Sequence, residues 1–368
     1  MKKVLEYRIG GSGDGVTRYI LGNYAQIDRE KVHMDFVTGD RDLSFCQDLI
    51  RDGSKVYSLP LSPFKHPIRY RREMKRLWDQ GYDIVHCHMS YFLNTVLFRQ
   101  AKKRGVKVIL HAHTTYPDIV DARKRKFYVF LHRLHTRRAC RYADAFAACS
   151  EAAAEWMFGS AVSRDKVQIF NNAIDARRFA FDEAVRERVR RELSLDGRFV
   201  VGHIGRFTYQ KNHRFLLDVF SALIQKRPDA VLLLIGTGSL EDETRRRVAE
   251  LGLEDSVRFL GLRDDVSDLM QAMDVFVLPS LFEGLGLVLV EAQSAGLRAL
   301  ASDAVPPEAQ VNELLTYLPL SAGPEAWAQE LLRSAEGYER TNRRRQMIET
   351  GYDLASQAAR IEQLYESL

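Results

Sequence analysis

Short apolar runs alternate with longer amphipathic stretches along the 368-residue chain, and the alternation begins twice. In the first half the runs cover residues 4–9, 33–38, 55–59, 83–88, 106–111, 145–149 and 167–170. Between them lie stretches with helical spacing, such as 68–78 and 91–103. Strand-length runs separated by helix-length stretches predict βαβ units and a parallel sheet. The second half repeats the pattern, with strands predicted at 199–204, 230–235, 257–260, 274–278 and 298–302 and helices at 215–225 and 241–251. An α/β chain of two Rossmann-like domains in tandem follows. The junction falls near Asn171-Asn172-Ala173-Ile174-Asp175, ahead of a charged helix at 182–193. A hydrophobic content of 46% lets each domain bury its own core.

Within this pattern Glu283 and Glu291 stand out, eight positions apart around a glycine turn and the run Leu287-Val288-Leu289-Val290. The run, continued by Ala292, Ala295 and Gly296, predicts a helix packed on nearly all sides. An ionised carboxylate is not buried there without a charged partner or a ligand. Glu283 precedes this helix on the loop leaving the predicted strand at 274–278, where open α/β sheets bind ligands. Two readings stand side by side: Glu291 pairs with a buried arginine, or both acids meet a ligand. Arg206 and Lys211 also follow a strand and precede a helix, a placement that suits phosphate oxygens as well as surface ion pairs.

The segment from Leu278 through Glu283-Gly284-Leu285-Gly286-Leu287 and Glu291 to Ser302-Asp303 resembles the E-x7-E signature of glycosyltransferase family 4, retaining enzymes of GT-B fold. Gly205-Arg206 with Lys211-Asn212 is similar to the family's phosphate-binding loop, and Ile235-Gly236-Thr237-Gly238 to its second-strand glycine turn. Val257-Arg258-Phe259-Leu260-Gly261 looks like its base-contacting strand. The resemblance covers most of the chain. Its similarity to bacterial exopolysaccharide and capsule enzymes extends to Ala148-Cys149-Ser150-Glu151-Ala152.

The resemblance implies two Rossmann-like domains facing across a cleft. Residues 1–174 with about 352–368 form an acceptor-binding domain, to which the C-terminal helix crosses back, and 175–351 bind the donor. It implies donor contacts from Gly15, Arg206, Lys211, Gly238, Phe259, Leu260, Glu283, Gly284, Leu285, Gly286, Leu287, Val288 and Glu291. Glu291 would take the ribose diol and Glu283 the sugar hydroxyls. Catalysis would rest on His113, Glu283, Arg206 and Lys211, with neither metal nor cofactor, since cations and helix amides carry the phosphate charge. His113 is preferred to its neighbour His111, and His88, which alternates with His86, is a further candidate for the crevice. The alternation of these four histidines is a weak metal signal. Gly10-Gly11-Ser12-Gly13-Asp14-Gly15 follows a strand and suits close phosphate approach. It is longer than the family's glycine pair, and Gly15 is its expected equivalent. Ala173 also departs from the family, which has glycine there.

Charge adds a partner. The net +5 divides into +11 over residues 1–175, with 30 Lys+Arg and 19 Asp+Glu, and −6 over the rest, with 24 and 30. The basic excess, including Arg123-Lys124-Arg125-Lys126, lies beside Phe127, Tyr128, Phe130 and Leu131. Anionic lipid or a polyprenyl-diphosphate-linked acceptor fits such a face; an ordinary solvated surface is the plain alternative. Four scattered cysteines fit a reduced compartment. No run approaches the roughly 20 apolar residues of a membrane span, and only Val4 and Leu5 separate the leading lysines from Glu6, short of a signal-peptide core. The expected enzyme is cytoplasmic or lies at the inner membrane face. It takes a nucleotide sugar, with UDP favoured by resemblance, and a saccharide acceptor; no nucleic acid is involved. A UDP-sugar 2-epimerase of the same fold, or a non-catalytic nucleotide-sugar scaffold, are the alternatives.

Overall fold

The computed structural model describes residues 1–10, 15–40, 43, 46–59, 67–114, 122–336 and 338–368. The chain divides into two compact units, Met1–Ala173 with Leu354–Leu368, and Ile174–Asp353.

In the first unit seven strands form one sheet: β1 (Lys2–Ile9), β2 (Val32–Thr38), β3 (Val56–Ser58), β4 (Ile84–Met89), β5 (Lys107–Ala112), β6 (Ala145–Ala148) and β7 (Val167–Ile169). Their order is β3-β2-β1-β4-β5-β6-β7, and all pairings are parallel. The order reverses between β1 and β4, which makes their carboxyl ends the switch point where such sheets receive ligands. Helix Leu354–Ser367 completes this unit against helix Gly15–Gln26. Its Ile361, Leu364 and Tyr365 join Ile20, Tyr24 and Phe36 in one core, and Gln357 Nε2 donates to Asn23 Oδ1 at 3.2 Å.

The second unit has six parallel strands in the order β10-β9-β8-β11-β12-β13. They are β8 (Phe199–Ile204), β9 (Ala230–Ile235), β10 (Val257–Gly261), β11 (Val275–Leu278), β12 (Ala299–Ser302) and β13 (Leu315–Leu318). Every residue of β9, β11 and β12 is buried. Strands covered on both faces read as unbroken apolar runs, which is why the sequence pattern locates them. The switch point here lies between β8 and β11.

Two differences from the sequence reading have local causes. Residues 91–103 are helical only over Val96–Lys102. Upstream, the Phe92 amide donates to His132 Nδ1 at 3.1 Å and Asn94 Oδ1 accepts from the Val96 amide at 3.0 Å, so neither enters a helical ladder. Edge strand β13, absent from the sequence reading, is four residues long and only partly buried, too short for its alternation to register.

Candidate functional site

The loops leaving β8 and β11 meet at the second unit's switch point. Lys211 ends a 3-10 turn, Tyr209–Lys211, and Asn212 turns left-handed into helix His213–Ile224. This geometry carries the Lys211 ammonium to 2.6 Å from Glu283 Oε1, with the two side chains 15% and 7% exposed. Ser280 Oγ donates to the same oxygen at 2.6 Å, and Gln210 Nε2 to Oε2 at 3.0 Å. Ser280 is itself held by Ser302, whose Oγ donates to its carbonyl. Glu283 is thus a nearly buried carboxylate with three donors. The sequence placed Lys211 on phosphate and Glu283 on sugar, but not against each other. An ammonium has three N–H donors, so one spent on Glu283 leaves two for a ligand.

Glycines hold these loops together by allowing contact that a Cβ would block. A Cβ on Gly236 (φ +135°) would stand 2.2 Å from the Gly205 carbonyl oxygen, and one on Gly238 would stand 2.5 Å from that of Phe207. A Cβ on Gly205 would press the Lys211 stem at 3.2 Å. Gly238 therefore has a packing role beside the ligand role implied for it. Arg206 is exposed at the tip of the β8 loop, with no ion pair among the described residues. Phe259 is half-buried, its ring 5.8 Å from Phe207 and under the Arg245 guanidinium at 3.9 Å, and Leu260 follows it on edge strand β10.

Helix Leu287–Ser294 starts after Gly286, at φ +79°. Gly284 is exposed and Leu285 half-buried on the turn before it. The sequence reading had this helix packed on nearly all sides, and the side left open carries Glu291. Leu287, Val288 and Glu291 form a half-buried stripe, while Leu289, Val290, Ala292, Gln293 and Ser294 are buried. Glu291 lies four positions after Leu287 and three after Val288, so it neighbours both on the helix surface and is itself half-buried beside the helix start.

In the first unit the four histidines converge at the β1–β4 switch point, because register sets Glu6 beside His86 and His88 beside His111. His86, His88 and His111 are buried, and His113 is half-buried at the end of β5. Glu6 Oε2 accepts from His88 Nε2 at 2.5 Å, and His88 Nδ1 lies 2.7 Å from His113 Nε2. Glu6 Oε1 accepts from Tyr365 Oη at 2.7 Å; that oxygen also lies 2.7 Å from His86 Nδ1, and His86 Nε2 is 3.0 Å from His111 Nδ1. Burial alone would raise the Glu6 carboxyl, but His86 and His88 outweigh it and hold the carboxyl far below the usual range. Burial, reinforced by neighbouring imidazoles, pushes His111 and His113 well below the ordinary histidine value, so both rings are neutral. Tyr19 packs edge-on against His111 and His113.

Sequence reasoning missed Glu6 and Tyr365. A lone acid inside Val4-Leu5-Glu6-Tyr7 is the same signal that singled out Glu291, and could have found Glu6. Among the described residues, ring nitrogens of His86, His88 and His111 lie within 4.8 Å of one another, the grouping nearest to a metal set. All but His111 Nε2 of these nitrogens are engaged in the chain just described. No metal is assigned there. Gly15 starts its helix, and a Cβ added to it would meet nothing within 4 Å, so crowding does not require glycine there. Gly11 to Asp14 lie outside the described residues.

Comparison with known proteins identifies the family. Residues 13–178 match the family described as Glycosyltransferase Family 4, and residues 185–354 the one described as Glycosyl transferases group 1. EpsF of Bacillus subtilis (strain 168), whose name marks it as a glycosyltransferase, is 30% identical over 91% of this chain and 88% of its own length. An Escherichia coli UDP-Gal:alpha-D-GlcNAc-diphosphoundecaprenol alpha-1,3-galactosyltransferase is 26% identical over 78% of this chain and 76% of its own. Among solved structures, HepE of Anabaena in complex with UDP superposes with TM-score 0.70 at 20% identity, covering 99% of this chain and 95% of that one. A glycosyltransferase from Rickettsia africae reaches 0.75 at 14% identity over 100% and 98%. With paired parallel α/β units, a cationic and acidic switch point and these relatives, the chain belongs to the GT-B glycosyltransferases of group 1 and family 4.

Proposed function

We propose that the chain is a retaining glycosyltransferase that moves a sugar from UDP to a saccharide or lipid-linked saccharide acceptor in bacterial surface polysaccharide synthesis. The observation that carries this reading is the Lys211–Glu283 pair at the β8–β11 switch point, with Arg206 exposed beside it. Arg206 and the two remaining Lys211 donors neutralise the diphosphate as the anomeric C–O bond breaks. Glu283 accepts from sugar hydroxyls, Glu291 accepts from the ribose diol, and His113 serves the donor sugar. Gly284, Leu285, Gly286, Leu287 and Val288 line the helix start against sugar and diphosphate, and Phe259 and Leu260 take the base. No divalent ion is required, because cations and helix amides balance the phosphate charge. UDP is supported by the solved HepE complexes with UDP and UDP-glucose, and a lipid-linked acceptor by the name of the Escherichia coli relative. A panel of nucleotide sugars, assayed with EDTA present, tests this. Transfer from a UDP-sugar with the anomeric configuration kept is expected; manganese-dependent transfer or an inverted product refutes it.

A second observation favours work at a membrane surface. On helix Ala122–Cys140, Phe127, Phe130 and Leu134 are 56%, 60% and 62% exposed. Their i, i+3, i+7 spacing puts them on one face, among exposed Lys126, Arg133 and Arg137. Apolar anchors flanked by cations suit the headgroup region of an anionic bilayer. No helix among the described residues is long and apolar enough to cross a membrane. Salt-sensitive sedimentation with anionic vesicles, abolished when Phe127, Phe130 and Leu134 become Ser, is expected. Equal binding to neutral vesicles refutes the electrostatic part.

A further inference from the structure

Strand β1 ends irregularly. Tyr7 pairs with Val37 and Ile9 with Thr38, so Arg8 is the extra residue of a bulge. The bulge breaks the alternation of faces: Leu5 and Tyr7 pack in one core of the unit, whereas Ile9 packs with Val4 in the other. Arg8 belongs to neither core. It is exposed, at φ +85°, a left-handed backbone that a residue with a Cβ adopts only where its surroundings enforce it, and such residues collect at ligand sites. The same strand end borders a cavity of about 250 Å³ at the carboxyl ends of β1 and β4. Buried Tyr7 and Tyr70 form its floor, and half-buried Met89, Tyr91 and Asn94 its wall, with Arg8 at the rim. Burial keeps both floor hydroxyls protonated, that of Tyr70 being pushed up to about 12. Tyr128 braces the Tyr91 ring edge-on, with centroids 5.4 Å apart. Asn94 Oδ1 is taken by the Val96 amide, which leaves Nδ2 as a donor. The Arg8 charge acts on Tyr7, Tyr91 and His113, and the guanidinium has no ion pair or hydrogen bond among the described residues.

We propose that this cavity is an acceptor subsite for one pyranose ring that carries an anionic group, with the ring against Tyr91 and the anion on Arg8. The proposal rests on the glycosyltransferase reading for its place in the reaction, and on the cavity for its ligand. A volume of about 250 Å³ lies below the roughly 300–1,000 Å³ of pockets for drug-sized ligands, and so suits a single ring. An aromatic wall with a few polar groups matches a sugar, whose C–H face packs on the ring while its hydroxyls meet Asn94 Nδ2 and the Tyr70 hydroxyl. A guanidinium at the rim selects a partner with two acceptor oxygens, which a phosphate and a uronic carboxylate both supply. A neutral sugar would leave the enforced backbone at Arg8 without a function.

The Met89 methyl group reports on the cavity. Methyl NMR on the full chain, with Met89→Leu used for assignment and UDP present to occupy the donor site, follows titration with several probes. These are the 1-phosphates of glucose, galactose and N-acetylglucosamine, methyl glucuronide, the neutral methyl glycosides and inorganic phosphate. A saturating Met89 shift with a sugar phosphate supports the proposal and assigns the anion as phosphate; one with methyl glucuronide alone supports it and assigns a carboxylate. In either case Arg8→Gly should weaken binding by about tenfold or more, through loss of charge-assisted hydrogen bonds. The same variant should melt no lower than the wild type, because glycine adopts φ +85° without strain. If Arg8→Gly does not fold, binding to Arg8→Gln is read in the same way. Neutral glycosides or inorganic phosphate binding as tightly as the charged sugars, unchanged affinity in the Arg8 variant, or no Met89 shift with any probe at millimolar concentration overturns the proposal. If the wild type transfers no sugar from any UDP-sugar, the glycosyltransferase reading fails, while the Met89 titration still decides what the cavity binds.

Discussion

Replacing Lys211 by Met removes the ammonium but keeps a stem of similar length, and so isolates the charge at the β8–β11 switch point. Exposed ion pairs contribute about 0–1 kcal/mol, whereas removing one partner of a buried pair costs about 3–5 kcal/mol. With side chains 15% and 7% exposed and 2.6 Å between charged atoms, this pair falls between those cases. Glu283 would retain Ser280 and Gln210 as donors but lose its only counter-charge among the described residues. A loss of about 2–3 kcal/mol is expected, a Tm shift of roughly 5–10 °C for a unit of this size. Glu283→Gln should cost less, about 1 kcal/mol, because the more exposed ammonium can turn to water. Denaturant and thermal melts of Lys211→Met, Glu283→Gln and the double variant give the coupling directly. Additivity within about 0.5 kcal/mol would show that the pair contributes nothing in solution. UDP affinity should also weaken in Lys211→Met.

Gly238→Ala should destabilise by about 1–3 kcal/mol in denaturant melts, since its Cβ would stand 2.5 Å from the Phe207 carbonyl oxygen. Gly15→Ala, with open space at the same atom, should leave Tm unchanged or raised; a loss of UDP-sugar turnover in that variant would support the ligand role implied for Gly15. Burial, with Lys211 nearby, lowers His213 from 6.5 to about 4, and neither ring nitrogen has a hydrogen-bond partner among the described residues. Between those values the unfolded chain binds a proton that the folded chain does not, so stability is lost as the pH drops from about 6.5 to about 4, by roughly 3 kcal/mol for this group. In His213→Phe, melts from pH 7 to pH 4 should show a shallower acid loss; an unchanged slope would remove His213 from the cause. Arg340 donates to the carbonyls of Met270, Gln271, Met273 and Ala295. Arg340→Met should therefore cost about 3–5 kcal/mol by thermal melt, and a cost near zero would mean that water replaces it freely.

The alternation of strand and helix, its restart in the second half and the placement of β8 and β9 were legible in the sequence, because fully covered parallel strands are continuous apolar runs of strand length. Glu283 and Glu291 were legible for the converse reason, since acids among apolar residues need partners. The partners themselves were not. Lys211 meets Glu283 across 72 positions, and Glu6 meets His88 across 82 and Tyr365 across 359. Strand order and register bring these groups together, and periodicity along the chain carries no record of either. The half-buried stripe of Leu287, Val288 and Glu291 is likewise decided by what covers the helix, which its nearly uniform apolar sequence does not encode. Local sequence set the elements and marked the acids that required an explanation. Only the packing of distant strands determined that one acid is tied to a lysine at the proposed donor site, and that another orders a chain of histidines.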